Sequence, residues 1–151
     1  MEELKECLIA VQTCSEVLEV MEADFVGLAI QNEVGPDVRW HCAAGNITDK
    51  YKRITVRYGK GIAGRVISSG SPMMITSFPE NILGKSTDYP IMLAEKLVSS
   101  FAVPLFFNGI PKGVLLVGHR NGIHKFSDEE QQHIKKYALL LEEAIKSHIH
   151  L

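Results

Sequence analysis

The stretch Tyr58-Gly59-Lys60-Gly61-Ile62-Ala63-Gly64-Arg65-Val66 constrains the fold of this chain more than any other. Three glycines spaced Gly-x-Gly-x-x-Gly end an extended segment and open a short helix. Glycine accepts the positive φ of a sharp turn and lets the backbone approach a ligand closely. The first N–H groups of the helix behind such a turn lack an internal partner and sit at the positive end of the helix dipole. They offer a place for a small anion. The spacing alone is weak, because it also serves as plain turn chemistry. The context on both sides has to carry the argument.

That context is basic. Residues 50–65 hold Lys50, Lys52, Arg53, Arg57, Lys60 and Arg65 with no acid among them. Residues 1–24 hold Glu2, Glu3, Glu6, Glu16, Glu19, Glu22 and Asp24 against Lys5 alone. Any one of these is ordinary solvated surface. A basic run leading into an anion-competent turn, in a chain of net charge −2, can also steer an anion by its long-range field. The negative balance argues against general nucleic-acid binding. A length of 151 residues, 46% hydrophobic and 23% charged, suits one domain with one core, residues 1–151. No apolar run could span a bilayer and no signal-peptide pattern opens the chain, so it reads as cytoplasmic and complete.

Hydrophobic periodicity predicts a helix over 2–21, with Leu4, Leu8, Val11 and Leu18 in one stripe and Cys7, Cys14, Val17 and Met21 in a second. A face that wide suggests burial against both a sheet and another helix. Residues 25–32 read as a central strand and 38–44 as its hairpin partner, with Val38, Trp40 and Cys42 facing one way and Arg39 and His41 the other. The chain is polar from Gly45 to about Tyr58. A helix follows over 62–69, stopped by Gly70. A short strand covers 73–76 and a loop 77–90. Pro90 suits the first position of a helix over about 91–96. Strand 98–107 contains Pro104, which implies a bulge or an edge. Asn108-Gly109 marks a hairpin into strand 113–119. Ser127-Asp128-Glu129-Glu130 is a capping box that opens the last helix, with Ile134, Tyr137, Ala138, Leu141, Ala144, Ile145 and His148 on its apolar face. This order predicts an α+β fold: an antiparallel sheet, terminal helices on one face, and a ligand pocket under short helices on the other.

The glycine turn, with Ser71-Pro72-Met73-Met74-Ile75-Thr76, Ser100-Phe101-Ala102-Val103-Pro104-Leu105, Gly113-Val114-Leu115-Leu116-Val117 and Phe126-Ser127-Asp128-Glu129-Glu130, resembles a GAF domain over the whole chain. Such domains bind cyclic nucleotides, tetrapyrroles, haem, small metabolites or nothing, so the fold alone names no ligand. Within that group, Trp40, Lys60-Gly61-Ile62-Ala63 and Asp88-Tyr89-Pro90-Ile91-Met92 are similar to the NreA family of nitrate receptors. That family modulates an oxygen-sensing histidine kinase of a two-component system. The resemblance implies that Trp40, Ile62, Ala63, Tyr89, Pro90 and Ile91 line a nitrate pocket, with Ile62 standing where leucine is expected. It also implies a sensor histidine kinase as partner.

The chemistry of those residues is compatible with nitrate. The anion is planar, singly charged and weakly hydrated, so converging neutral donors can hold it. Helix N-termini at Gly61-Ile62-Ala63 and at Pro90-Ile91-Met92 would supply backbone N–H groups. The Trp40 indole is a donor only, and Tyr89 can also donate. Singly, Trp40 is usually core, Tyr89 a loop anchor and Pro90 a helix start; it is their combination with the glycine turn that points to a ligand.

Other functions fare less well. A free methionine-R-sulfoxide reductase, also a small GAF protein, needs a nucleophilic and a resolving thiol near the pocket. No cysteine follows Cys42, and Cys7 and Cys14 lie on the first helix. They are two turns apart, roughly 10 Å by helical rise, too far for a disulfide, so buried reduced thiols are expected. His41, His119, His124, His133, His148 and His150 show no metal-ligand spacing, and no nucleophile elbow is present. No catalytic residue, metal or cofactor is therefore expected. The cyclic-nucleotide motif of GAF domains is broken at Asn121-Gly122. A domain that binds another small effector, or one that only dimerises through its terminal helices, remains an alternative.

Overall fold

A computed structural model describes residues 8–148. The polypeptide runs α1 (Leu8–Val20), β1 (Phe25–Gln31), β2 (Asp37–Ala44), a 3-10 turn (Lys50–Arg53), β3 (Thr55–Arg57), α2 (Gly61–Ser69) and β4 (Met73–Ile75). A second 3-10 turn (Ser86–Asp88), α3 (Pro90–Ala94), β5 (Ser99–Phe107), β6 (Ile110–His119), α4 (Asp128–Ile145) and a terminal 3-10 turn (Lys146–His148) follow. The six strands form one antiparallel sheet in the order β3-β2-β1-β6-β5-β4. β1 is central, flanked by β2 and β6, and is buried along almost its whole length, as an uninterrupted apolar run requires.

Each face of the sheet carries its own apolar cluster. One face packs under α1 and α4, through Ala10, Cys14, Val17, Ile134, Ala138 and Leu141. The other packs under α2 and α3, through Trp40, Ile62, Val66, Tyr89, Ile91 and Met92. Local signals place the ends of these helices. Gly70 stops α2 at φ 67°, its N–H bonded to the Val66 carbonyl. Ser127 Oγ accepts from the Glu130 N–H at 3.1 Å while Glu130 Oε1 accepts from the Ser127 N–H at 2.9 Å, the reciprocal box expected at the start of α4. Pro90 occupies the first turn of α3. Pro104 does lie beside a bulge, at Leu105/Phe106, and beyond the three residues of β5 that pair with β4. The Phe106 N–H there is taken by Glu142 at 3.0 Å.

Three expectations change. Trp40 and Cys42 do not share a face. Leu28 pairs with Cys42 and Ala29 with Trp40, so His41 is an extra residue, and this bulge turns Trp40 toward the α2 side and Cys42 toward the α1 side. The second stripe is the buried one and the first contributes little: Ala10, Cys14, Val17 and, just past α1, Met21 are buried, Leu18 is half-buried against them, and Leu8 and Val11 are exposed. The helix meets the sheet and α4 over one narrow face only. The polar stretch before the glycine turn contains an edge strand, β3, which pairs with β2 at Asp37, Val38 and Arg39. Leu4, Cys7 and His150, and the first six positions of the expected N-terminal helix, lie outside the described residues, as does the His148 side chain. No described helix is long and apolar enough to cross a membrane.

Candidate functional site: the α2 N-terminus and the wall behind it

The turn before α2 is shaped by its glycines. Gly59 and Gly61 have φ of 84° and 64°, and a Cβ on Gly64 would stand 2.2 Å from the Arg57 carbonyl oxygen. Bonds from Lys60 N–H to the Arg57 carbonyl and from Gly59 N–H to the Gly64 carbonyl, both 2.9 Å, close the turn. Lys60 gives no side-chain cap, and the closing bonds use none of the Gly61, Ile62 or Ala63 N–H groups. α2 therefore begins with uncapped donors inside the fold, since all three residues are buried. α3 offers less. Its proline has no N–H, and the N–H groups of Met92 and Leu93 both go to the Tyr89 carbonyl, leaving Ile91 alone.

Six of the eight expected ligand residues, Trp40, Ile62, Ala63, Tyr89, Ile91 and Met92, lie in one buried cluster. Trp40 is 3% exposed, and its indole N–H has no acceptor among the described residues. Its ring packs close to β1 at Gly27, where a Cβ would sit 3.0 Å from Trp40 Cε3 and from the Phe25 ring. Tyr89 is fully buried but its hydroxyl is engaged on both sides. It donates to the Leu83 carbonyl at 2.7 Å and accepts from Arg65 Nη1 at 2.7 Å. The Arg65 guanidinium also lies 5.3 Å from the Tyr89 ring centroid, and Phe78 meets that ring edge-on at 5.9 Å. In this conformation the hydrogen Tyr89 could offer an anion is already spent.

The remaining two, Gly61 and Pro90, line a cleft of about 360 Å³ at the mouth of the glycine turn. Thr55, Arg57, Lys60, Arg65 and Thr87 share it, with Asp88 as its one acid. Half of the basic run read from the sequence thus faces the place where α2 begins. Trp40 does not line this cleft; it lines a separate cavity of about 390 Å³, with Cys42, Tyr51 and Lys52. Burial there raises the Tyr51 phenol above its ordinary range, and the neighbouring Cys42 adds to the effect.

A polar knot missed by the sequence reading anchors α3. Glu95, fully buried just past its end, accepts from Arg120 Nη2 at 2.8 Å and from the Ile47 N–H at 2.9 Å. Arg120 also donates to the carbonyls of Glu95, Asp24 and Gly45. Positions 24, 45, 95 and 120 share no spacing that a linear reading could find; a charged residue following an apolar turn was the one available hint. Nearby, the His119 and His124 rings stack at 3.9 Å and His124 meets Glu130 at 2.8 Å. Among the described residues no group of three or more His, Cys, Asp or Glu side chains could hold a metal.

Comparison with known proteins agrees with this architecture. The GAF_2 family, described as GAF domain, matches residues 9–146. No curated protein matches. Among solved structures, a hypothetical protein from S. aureus is 34% identical, covering 75% of this chain and 94% of its own, at a TM-score of 0.69. NreA from Staphylococcus aureus, mutated in its nitrate-binding site, is 31% identical, covering 79% of this chain and 90% of its own, at 0.72. A free methionine-R-sulfoxide reductase from Neisseria meningitidis, in complex with its substrate, is 18% identical at 0.73 over 92% of this chain and 78% of its own, a likeness of fold alone.

Proposed function

This chain belongs to the GAF domain family, and we propose that within it the protein is a cytoplasmic nitrate-binding sensor, not an enzyme, that modulates a sensor histidine kinase. The observation that carries the reading is the uncapped start of α2, where Gly61, Ile62 and Ala63 are buried and their N–H groups have no capping partner; Ile62 and Ala63 share one apolar cluster with Trp40, whose indole N–H is unused. Those N–H groups donate and do not accept, which favours an anion over a cation. The likeness to NreA at 31% identity supports nitrate as that anion.

Nitrate would complete the Gly61, Ile62 and Ala63 donors and take the Trp40 N–H, with Ile91 contributing its free backbone donor. Tyr89 would act chiefly by holding Arg65 and the Leu83 carbonyl, and Pro90 and Met92 by fixing the start of α3. Residues 77–97 are the element that nitrate would bias, and their ordering would reshape the surface offered to the kinase. The cleft of about 360 Å³ is far larger than nitrate, and its basic rim favours a second reading, a larger anionic effector.

Thermal melting with nitrate, nitrite, chloride, sulfate and cyclic nucleotides decides between them. A ligand at a hundred times its Kd raises stability by about 2.7 kcal/mol. Nitrate should raise the melting temperature and change the fluorescence of Trp40, the only tryptophan. A shift with cyclic nucleotide and none with millimolar nitrate would replace the first reading by the second. Kinase autophosphorylation titrated with the protein and nitrate tests the partner.

A further inference from the structure

We propose that Cys14 and Cys42 are a redox-responsive dithiol that closes into a reversible disulfide, fastening α1 to β2. The two lie 28 residues apart on different elements, and their sulfurs are 3.9 Å from each other within the α1-side core. A disulfide needs about 2.05 Å, so only a small approach or rotation separates contact from bond. The bulge at His41 creates the encounter, because without it Cys42 would face away from α1. The inference does not depend on which anion the α2 side takes.

Chemistry assigns each sulfur a part. The two thiols share one hydrogen bond in which either sulfur can be the donor. That bond, and then full burial, push the Cys14 ionisation well above the ordinary range, while the same contact lowers that of Cys42 despite burial. Cys42 also lines the cavity of about 390 Å³ that reaches the exposed Lys52 and Val11, a path for a small oxidant. The oxidant class is a peroxide. The Cys42 thiolate attacks one peroxide oxygen; the S–O bond forms, the O–O bond breaks, and the departing hydroxide takes a proton and leaves as water. Cys14 sulfur then attacks the sulfenic sulfur; the S–S bond forms, the S–O bond breaks, and hydroxide leaves with the Cys14 proton as a second water. Two thiols lose two electrons and one peroxide gains them. A thiol reductant reverses the step.

The full chain carrying Cys7→Ser, reduced and then exposed to equimolar hydrogen peroxide, tests this. Peptide mapping should find Cys14 joined to Cys42 within one chain, with the loss of two hydrogens, reversed by dithiothreitol. The oxidised form should melt several degrees higher, because the link restricts the unfolded chain. Cys14→Ala, which removes the resolving thiol, should instead leave a sulfenic acid on Cys42 that dimedone traps. Two free thiols after peroxide, a link only between chains, or no dimedone adduct on Cys42 in Cys14→Ala would each overturn the proposal.

Discussion

Replacing Trp40 by phenylalanine separates ligand recognition from packing. The indole N–H has no acceptor among the described residues, so the substitution leaves no protein group unpaired. Its stability cost is the lost ring volume against Gly27 and Phe25, about 1–2 kcal/mol for a modest large-to-small change in a core. For a chain of this size that is roughly 3–6 °C in Tm. Nitrate, by contrast, would lose one hydrogen bond to a charged acceptor, about 1.5–3 kcal/mol. That converts to a Kd roughly 10- to 150-fold weaker. Titration calorimetry of the variant gives the second quantity, and melting without nitrate the first. A variant that melts a few degrees lower and binds nitrate with unchanged affinity would show that the indole takes no part, and would refute the argument from an unused indole donor.

Tyr89→Phe strips partners from Arg65 and from the Leu83 carbonyl, and should cost about 1–2 kcal/mol by chemical denaturation, the Arg65 end being partly recovered by water. Arg120→Met leaves Glu95 buried and uncompensated, and should cost about 3–5 kcal/mol, with part of the loss restored by adding Glu95→Gln. Burial, and then the neighbouring His124, lower the His119 ionisation, outweighing the pull of Asp24 and Glu130. A depressed folded pKa gives stability that is full above the unfolded value of about 6.5 and is lost as pH falls through the folded one. Tm should therefore drop below about pH 6.5, and His119→Gln should flatten that drop in melts recorded between pH 8 and 5.

The parts of the fold that could be read from the sequence are those governed by local chemistry. The Ser127/Glu130 box, the left-handed Gly70 and Pro90 at a first turn each follow from a few adjacent residues, and each stands where that chemistry demands. What escaped was set by neighbours distant in sequence. β3 lacks a hydrophobic pattern because it is an edge with only Val56 half-buried, so only its pairing with β2 identifies it. Alternation failed between Trp40 and Cys42 because a single inserted residue reverses the faces, and nothing in His41 announces it. In the candidate site, the backbone donors of α2 could be deduced from three glycines. The occupancy of the Tyr89 hydroxyl could not, since it depends on Arg65 and Leu83 arriving from two other segments.

The outer flank of β5 bears on how copies of this molecule meet at high concentration. β4 covers only three positions of that nine-residue strand, so Val103 to Phe107 run past it along an open margin. An open strand margin templates the addition of another chain, the first step toward aggregates. Here two of the donors such an intruder would need are missing. Pro104 has no N–H to give, and the Phe106 N–H is occupied by a carboxylate reaching across from α4. The bulge at Leu105/Phe106 further spoils the register that a straight incoming strand would adopt. With β3 on the far side also only three residues long, the sheet is poorly suited to growth at either end.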